Sequence, residues 1–180
     1  MRTLLLLLMM LLMMLSGAAP VHAQPLTLRF THFLGPTSFF ETDLVGPWAR
    51  ELEGRTGGRL KIEVLNAASP LGGVTKQAAQ VRDGTVDIAL GLRGAEAGNP
   101  FWRSAILELP FAVHDAQSGS RAFWRLATAG SLADDYAGFK LLAVSVHNPG
   151  LVHTTTHRVM QLSDLKGLRL RSPNATVSEA

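Results

Sequence analysis

Apolar and polar residues alternate along two segments near the start of the chain, residues 26–32 and 59–65, as they do in half-buried β-strands. The mostly apolar segment 86–90, which contains Asp87, predicts a buried strand. Between these segments, apolar residues recur at helical spacing around Trp48 and over 76–82. Strands that alternate with helices predict an α/β fold with a mainly parallel sheet.

The second half of the chain repeats these two patterns less regularly. An amphipathic helix is predicted over 118–127, with Ala122, Phe123 and Leu126 facing inward. Three further strands are predicted, over 140–146, 151–155 and 168–171.

The first 23 residues have the pattern of a secretory signal peptide. Arg2 precedes an unbroken Leu and Met run over 4–15, and small residues lead to a cleavage site after Ala23. The alternative is a membrane anchor, but a run of about 12 residues is short of the ~20 that cross a bilayer. We therefore expect an exported protein that lies outside the cytoplasm and whose mature chain does not insert into a membrane.

The composition excludes several classes of protein. No cysteine is present, so the chain carries neither disulfides nor a lipid on cysteine, and its stability must come from a packed core. The 17 basic residues against 14 acidic ones are scattered, whereas nucleic-acid binding requires a clustered basic surface. No nucleic-acid partner is expected.

No sequence motif indicates catalysis. The chain lacks a nucleophile elbow, a P-loop and a dinucleotide fingerprint, so we expect a protein that is not an enzyme and has no cofactor. His153 and His157 are four residues apart, but the threonines between them favour extended chain, so no metal site is expected.

Candidate binding residues follow from the position of the predicted strands. Open α/β sheets bind ligands at the carboxyl ends of their strands. The positions directly after strands are 32–38, 66–69, 91–94, 147–150 and 171–174. Arg171 is the first candidate, because a guanidinium at a strand end can hold a carboxylate through two parallel hydrogen bonds, although a surface arginine is the alternative. His147 follows a strand too, and either contacts a ligand or is a hydrogen-bonded structural histidine.

Residues 172–180 have the pattern of a helix start, with Asn174 as its cap and no residues that would end the helix. We therefore expect that the chain stops before the natural end of the protein.

Five stretches, in order, resemble the solute receptors of TRAP (tripartite ATP-independent periplasmic) transporters, the DctP type. They are LRFTH at 28–32, PWAREL at 47–52 with TGGRL at 56–60, DGTVDI at 83–88, ELPF at 108–111 and DLKGLRLRSP at 164–173. The resemblance covers essentially the whole mature chain.

The resemblance implies a two-lobed α/β receptor whose lobes close around a small carboxylate. It implies that Arg171 forms the carboxylate salt bridge and that Asn174 is a ligand-facing polar residue. Many relatives carry a second arginine where this chain reads HNPGLVH at 147–153. His147 or Arg93 then substitutes for it, or the ligand has one carboxylate. His32, directly after the first strand, completes the candidate substrate-binding residues.

Relatives are considerably longer, so the resemblance implies that residues 24–145 form an incomplete first lobe and residues 146–180 the start of a second. The implied function is capture of an organic acid and its delivery to the TRAP membrane permease subunits. Two alternatives stay open, namely a ligand-sensing receptor for a signalling partner and a periplasmic enzyme on a similar fold.

Overall fold

The computed structural model describes residues 24–98, 100–109 and 111–172. The predicted signal peptide, residues 1–23, lies outside the described residues, as does the helix start predicted at Asn174. The described ranges contain three strands, three α-helices and short π-helical and 3-10 segments.

The three strands form one parallel sheet in the order β2-β1-β3. Strand β1 (Leu26–His32) is central, between β2 (Leu60–Leu65) and β3 (Ile88–Leu90). The prediction of a mainly parallel α/β sheet is confirmed.

Burial increases along β1 toward its carboxyl end. Leu26 is exposed, whereas Phe30, Thr31 and His32 are all buried. The reason is the register, because β3 pairs with β1 only from Phe30 onward, so that only this half of β1 has a strand on each side. The most enclosed backbone of the sheet therefore leads directly to its carboxyl edge.

The connection from β1 to β2 begins with a π-helical turn (Phe40–Val45) that continues into helix α1 (Gly46–Arg55). Pro47 lies in the first turn of α1, where its missing N–H costs nothing. Trp48 packs on β1, with its ring centroid 6.1 Å from that of Phe30. This contact fixes α1 against the sheet.

The connection from β2 to β3 contains helix α2 (Gln77–Arg82), which ends before Gly84. Gly84 has a φ of +75°, a conformation that favours glycine. Gly72 lies so close to the preceding loop that a Cβ there would sit 2.1 Å from the carbonyl oxygen of Asn66. The loop after β2 therefore folds back tightly on itself.

Two 3-10 segments, Arg93–Ala95 and Arg103–Glu108, lie between β3 and helix α3 (Ala116–Thr128). Asp115 caps α3 by accepting a hydrogen bond from the backbone N–H of Ser118 at 2.8 Å.

The inward face of α3 differs in part from the prediction. Phe123 is buried, as expected, but Ala122 is exposed. Gly119 is buried, and a Cβ there would lie 2.5 Å from Val113 and 2.6 Å from Val146. The helix therefore packs along the line from Gly119 to Phe123, one turn apart, which leaves Ala122 on the flank.

The three strands predicted over 140–146, 151–155 and 168–171 are wrong for the described structure, where these residues pair with no strand. A short 3-10 segment (Leu162–Leu165) lies among them. Alternation indicates that a segment fits a half-buried pleated surface, but a strand forms only when a neighbour satisfies its backbone groups. Apolar side chains along this part of the chain are correspondingly exposed, with Leu151 at 76% and Leu162 at 85%.

Candidate functional site

The carboxyl ends of all three strands meet at one edge of the sheet. Because the strands are parallel and His32 is in register with Leu90, the chain leaves β1 and β3 side by side. Thr31 is in register with Leu65, so β2 ends beside them. Ligands of open α/β sheets bind at such an edge.

His32 occupies the centre of this edge and is fully buried, with 0% of its surface exposed. Its Nδ1 accepts a hydrogen bond from the backbone N–H of Leu34 at 3.2 Å. Its Nε2 lies 3.3 Å from Oε2 of Glu41. Burial lowers the pKa of His32 below 6.5, an effect that the nearby Glu41 carboxylate partly opposes. His32 is therefore neutral near pH 7, with its proton on Nε2.

Glu41 and Asn66 complete a polar cluster with His32, which we call the His32 cluster (His32, Glu41 and Asn66). The side-chain amide of Asn66 donates to both carboxylate oxygens of Glu41, at 2.9 and 3.1 Å. The side-chain oxygen of Asn66 accepts from the backbone N–H of Ala68 at 3.0 Å. Glu41 lies on the π-helical turn, a local geometry frequent at functional sites.

Aromatic rings surround the buried face of the His32 cluster. The ring of Phe40 meets the imidazole of His32 edge-on at 5.4 Å between centroids, and Phe30 lies 6.0 Å away. Phe39, the preceding residue, is 75% exposed. The chain that leaves β1 therefore carries an aromatic side chain open to solvent directly before the turn that holds Glu41.

Arg93 follows β3, as the sequence predicted, but its guanidinium is already engaged. It forms an ion pair with Glu108 and donates to the carbonyl oxygen of Phe101 at 3.4 Å. Only 15% of the Arg93 side chain is exposed. These contacts tie the 3-10 segment after β3 to the next one.

The other predicted residues lie on the segment after α3. His147 is exposed, and the chain around it is held to α3 because the side-chain oxygen of Asn148 accepts from the backbone N–H of Ala116 at 2.8 Å. Arg171 is exposed, and no carboxylate of the described residues lies within ion-pair distance of it. Asn174 lies outside the described residues.

Sequence reasoning did not select Glu41 or Asn66. Asn66 lies directly after β2, within the range 66–69 that was predicted to follow a strand, so its position in the sequence could have identified it as a candidate. Glu41 is separated from His32 by eight residues of loop and turn, and nothing in its local pattern distinguishes it from a solvated helix residue.

A second carboxylate, Glu96, is buried near the start of α2 and accepts from the backbone N–H of Ala78 at 3.1 Å. Burial raises the pKa of Glu96. Gly91 permits this approach, since a Cβ there would lie 2.9 Å from Oε1 of Glu96. Glu96 therefore satisfies backbone donors of α2 and serves the fold.

Other concave surfaces of the described residues are less suited to enclose a ligand than the carboxyl edge of the sheet. An open concavity of about 300 Å³ is lined by six residues from the start and outer face of α3, so it has no opposing wall to enclose a ligand. Across the described ranges, no three His, Cys, Asp or Glu side chains come together to hold a metal ion. No helix of the described residues is long and apolar enough to cross a membrane.

Residues 30–180 match the family described as bacterial extracellular solute-binding protein, family 7, or DctP. Among curated proteins, the outer membrane transporter protein TsaT of Comamonas testosteroni is 30% identical over 149 residues, which cover 82% of this chain and 43% of that protein.

Solved TRAP solute-binding proteins have similar structures. One from a marine metagenome, in complex with 3-hydroxybenzoate, has a TM-score of 0.78 and 29% identity, and the match covers 87% of this chain and 48% of that one. One from Rhodoferax ferrireducens with benzoate has a TM-score of 0.73, 34% identity and coverage of 86% and 47%. One from Bordetella bronchiseptica with (R)- and (S)-mandelate has a TM-score of 0.63 and 30% identity, and the match covers 80% of this chain and 45% of that one.

These neighbours are two-lobed periplasmic binding proteins, so the predicted fold class is confirmed. The chain spans about half the length of the relatives it matches. The lobe boundary predicted between residues 145 and 146 stays a prediction.

Proposed function

The chain belongs to the DctP family of bacterial extracellular solute-binding proteins (family 7), and we propose that it captures an organic acid in the periplasm and delivers it to the membrane permease of a TRAP-type transporter. The family match over residues 30–180 is the observation that carries the proposal. The protein acts by binding and release, without turnover of its ligand, and without a cofactor.

The ligand class is an aromatic acid with one carboxylate. The ligands of the marine, Rhodoferax and Bordetella relatives, namely 3-hydroxybenzoate, benzoate and mandelate, each combine a ring with a single carboxylate. In this chain, Phe39 presents an exposed ring directly before the π-helical turn that follows β1. The region 147–153 supplies no second arginine, which suits a ligand with a single negative charge.

Arg171 is the residue that binds the ligand carboxylate in this proposal. Arginine can bind a carboxylate through two parallel hydrogen bonds, and it stays charged at every physiological pH. Closure of the protein around the ligand removes water, and the lower dielectric strengthens this ion pair. His147 and Asn174 are the nearest further candidates in sequence for polar contacts to the same ligand.

Titration calorimetry of the purified protein with benzoate, 3-hydroxybenzoate and mandelate tests the proposal, with benzamide as the uncharged probe. We expect the acids to bind and benzamide not to bind. Arg171→Ala should weaken the preferred acid at least tenfold, or about 1.4 kcal/mol. Arg171→Lys should recover only part of the loss, because lysine cannot make the paired contact.

Arg55→Ala is the matched control, because Arg55 is an exposed arginine at the far end of α1, near the amino edge of the sheet. Unchanged affinity in Arg171→Ala would remove Arg171 from the site. Chemical conversion of the recovered acid would show that the protein is an enzyme, and failure of every acid to bind would overturn the ligand class.

A further inference from the structure

The His32 cluster joins the two loops that leave the carboxyl edge of the sheet from β1 and β2. Glu41 belongs to the π-helical turn after β1, and Asn66 begins the loop after β2. The contacts of Glu41 with the Asn66 amide, at 2.9 and 3.1 Å, connect the loops, and His32 anchors Glu41 to the sheet. The shape of this edge therefore depends on these three side chains.

The hydrogen bond of His32 fits only one of its protonation states. Nδ1 accepts from the Leu34 N–H, so it carries no proton, and the proton lies on Nε2, which is 3.3 Å from Oε2 of Glu41 but falls short of hydrogen-bond geometry. A second proton on Nδ1 would bring two donors face to face. Since His32 is 0% exposed, water has no access to relieve that conflict, so the Leu34 contact would have to break.

The surroundings of His32 favour the neutral form. From β1 the ring of Phe30 faces it, and from the π-helical turn the ring of Phe40 and the carboxylate of Glu41 do. Leu90 is its neighbour in register on β3. Among the described residues, Glu41 is the titratable group that acts on His32, and burial outweighs its effect.

We propose that His32 is a positioning residue for the ligand site: its neutral form holds both loops in the shape that receives the organic acid, and uptake of a second proton releases them. This inference rests on the proposed function, since it assigns the ligand to this edge. Acidification below the pKa of His32 then weakens ligand binding about tenfold per pH unit, because the competent fraction falls in that proportion. Arg171 does not titrate in this range, and a ligand carboxyl with an ordinary pKa near 4 stays ionised above about pH 5.

Nitrogen-15 NMR of the histidine rings in the ligand-free protein tests the first half of the proposal. We expect His32 to show the Nε2–H tautomer at pH 7.5 and to take up its second proton only below pH 6.5. Backbone signals of the loops around Glu41 and Asn66 should shift with the midpoint of His32. A charged ring at pH 7, or a proton on Nδ1, would overturn the inference without reference to any ligand.

Affinity for the preferred acid, measured between pH 5 and 7.5, tests the second half. His32→Gln removes the titrating ring, so we expect an affinity that is lower than that of wild type at pH 7.5 and that no longer changes between pH 7.5 and 5. His114→Gln makes the same change at an exposed histidine and should retain the wild-type profile. If affinity depends on pH equally in wild type and in His32→Gln, the positioning role is overturned even if binding is strong. If no acid binds at pH 7.5, the proposed function fails, and with it the role in ligand binding, while the NMR titration still decides whether His32 controls the loops.

Discussion

Asp135 offers a sharp test of how buried hydrogen bonds hold the segment after the sheet. Its carboxylate is 3% exposed and accepts from the backbone N–H of Arg103 at 3.1 Å, from that of Ser104 at 2.7 Å, and from the Ser104 hydroxyl at 2.6 Å. These contacts fix the start of the 3-10 segment that carries Glu108, the ion-pair partner of Arg93. Asp135→Ala removes the acceptor of all three.

The loss of stability in Asp135→Ala follows from the burial of Ser104, which is 0% exposed. A buried donor that loses its acceptor costs about 1–3 kcal/mol. Two such donors, the N–H and the hydroxyl, at about 1.5 kcal/mol each give a loss of about 3 kcal/mol in the free energy of unfolding. With a urea slope of about 2 kcal/mol per molar, the unfolding midpoint should fall by about 1.5 M.

Asp134→Ala is the matched control, because it deletes the adjacent aspartate. Asp134 is 68% exposed, and its ion pair is with Arg103, which is 42% exposed. Surface pairs of this kind contribute at most about 1 kcal/mol, and salt screens them. Urea unfolding at low and high salt should therefore show a small, salt-sensitive loss for Asp134→Ala and a large, salt-insensitive loss for Asp135→Ala. Similar small losses in both variants would refute the reasoning.

Two further changes probe packing and pH dependence. Gly119→Ala should lower the free energy of unfolding by about 1–3 kcal/mol, because the added Cβ would press on Val113 and Val146. Gly54→Ala is the control, since nothing lies near the added Cβ, and it should raise the free energy of unfolding by about 0.5–1 kcal/mol. Thermal unfolding of both variants decides this, and a neutral Gly119→Ala would contradict the packing. The folded-state pKa of Glu96 is raised above 4.5, so over this pH range the folded chain retains a proton that the unfolded chain releases. The contribution of Glu96 to the free energy of unfolding therefore falls as pH rises from 4.5 through the folded-state pKa. Glu96→Gln should remove that component from the urea midpoint measured against pH, and an unchanged slope would contradict it.

The sequence made the first half of the fold predictable because its patterns are local. Alternation located β1 and β2, and helical spacing around Trp48 located α1. The position of His32 at the end of a strand was therefore predictable from the sequence. These features depend on interactions within a few residues, for which periodicity and turn chemistry are reliable guides.

The partners of His32 were not predictable, because they depend on distant contacts. Glu41 reaches His32 only because the chain makes a π-helical turn, which has no clear sequence signal, and Asn66 arrives from the loop of another strand. The predictions of strands over 140–146, 151–155 and 168–171 were wrong for a similar reason. Their alternation is genuine, but strand formation requires a paired neighbour, and the described structure provides none.

The distribution of charge supports Arg171, and not Arg93, as the arginine of the proposed ligand site. At the carboxyl edge, the charged groups are already paired, Arg93 with Glu108 and Glu41 with Asn66 and His32. A ligand carboxylate that approached Arg93 would have to displace Glu108 and the carbonyl oxygen of Phe101, and so would gain little net energy. Arg171 has no such competitor among the described residues, which makes its full charge available. In the proposed function, Arg171 on the segment after α3 therefore supplies the cation, and Arg93 does not.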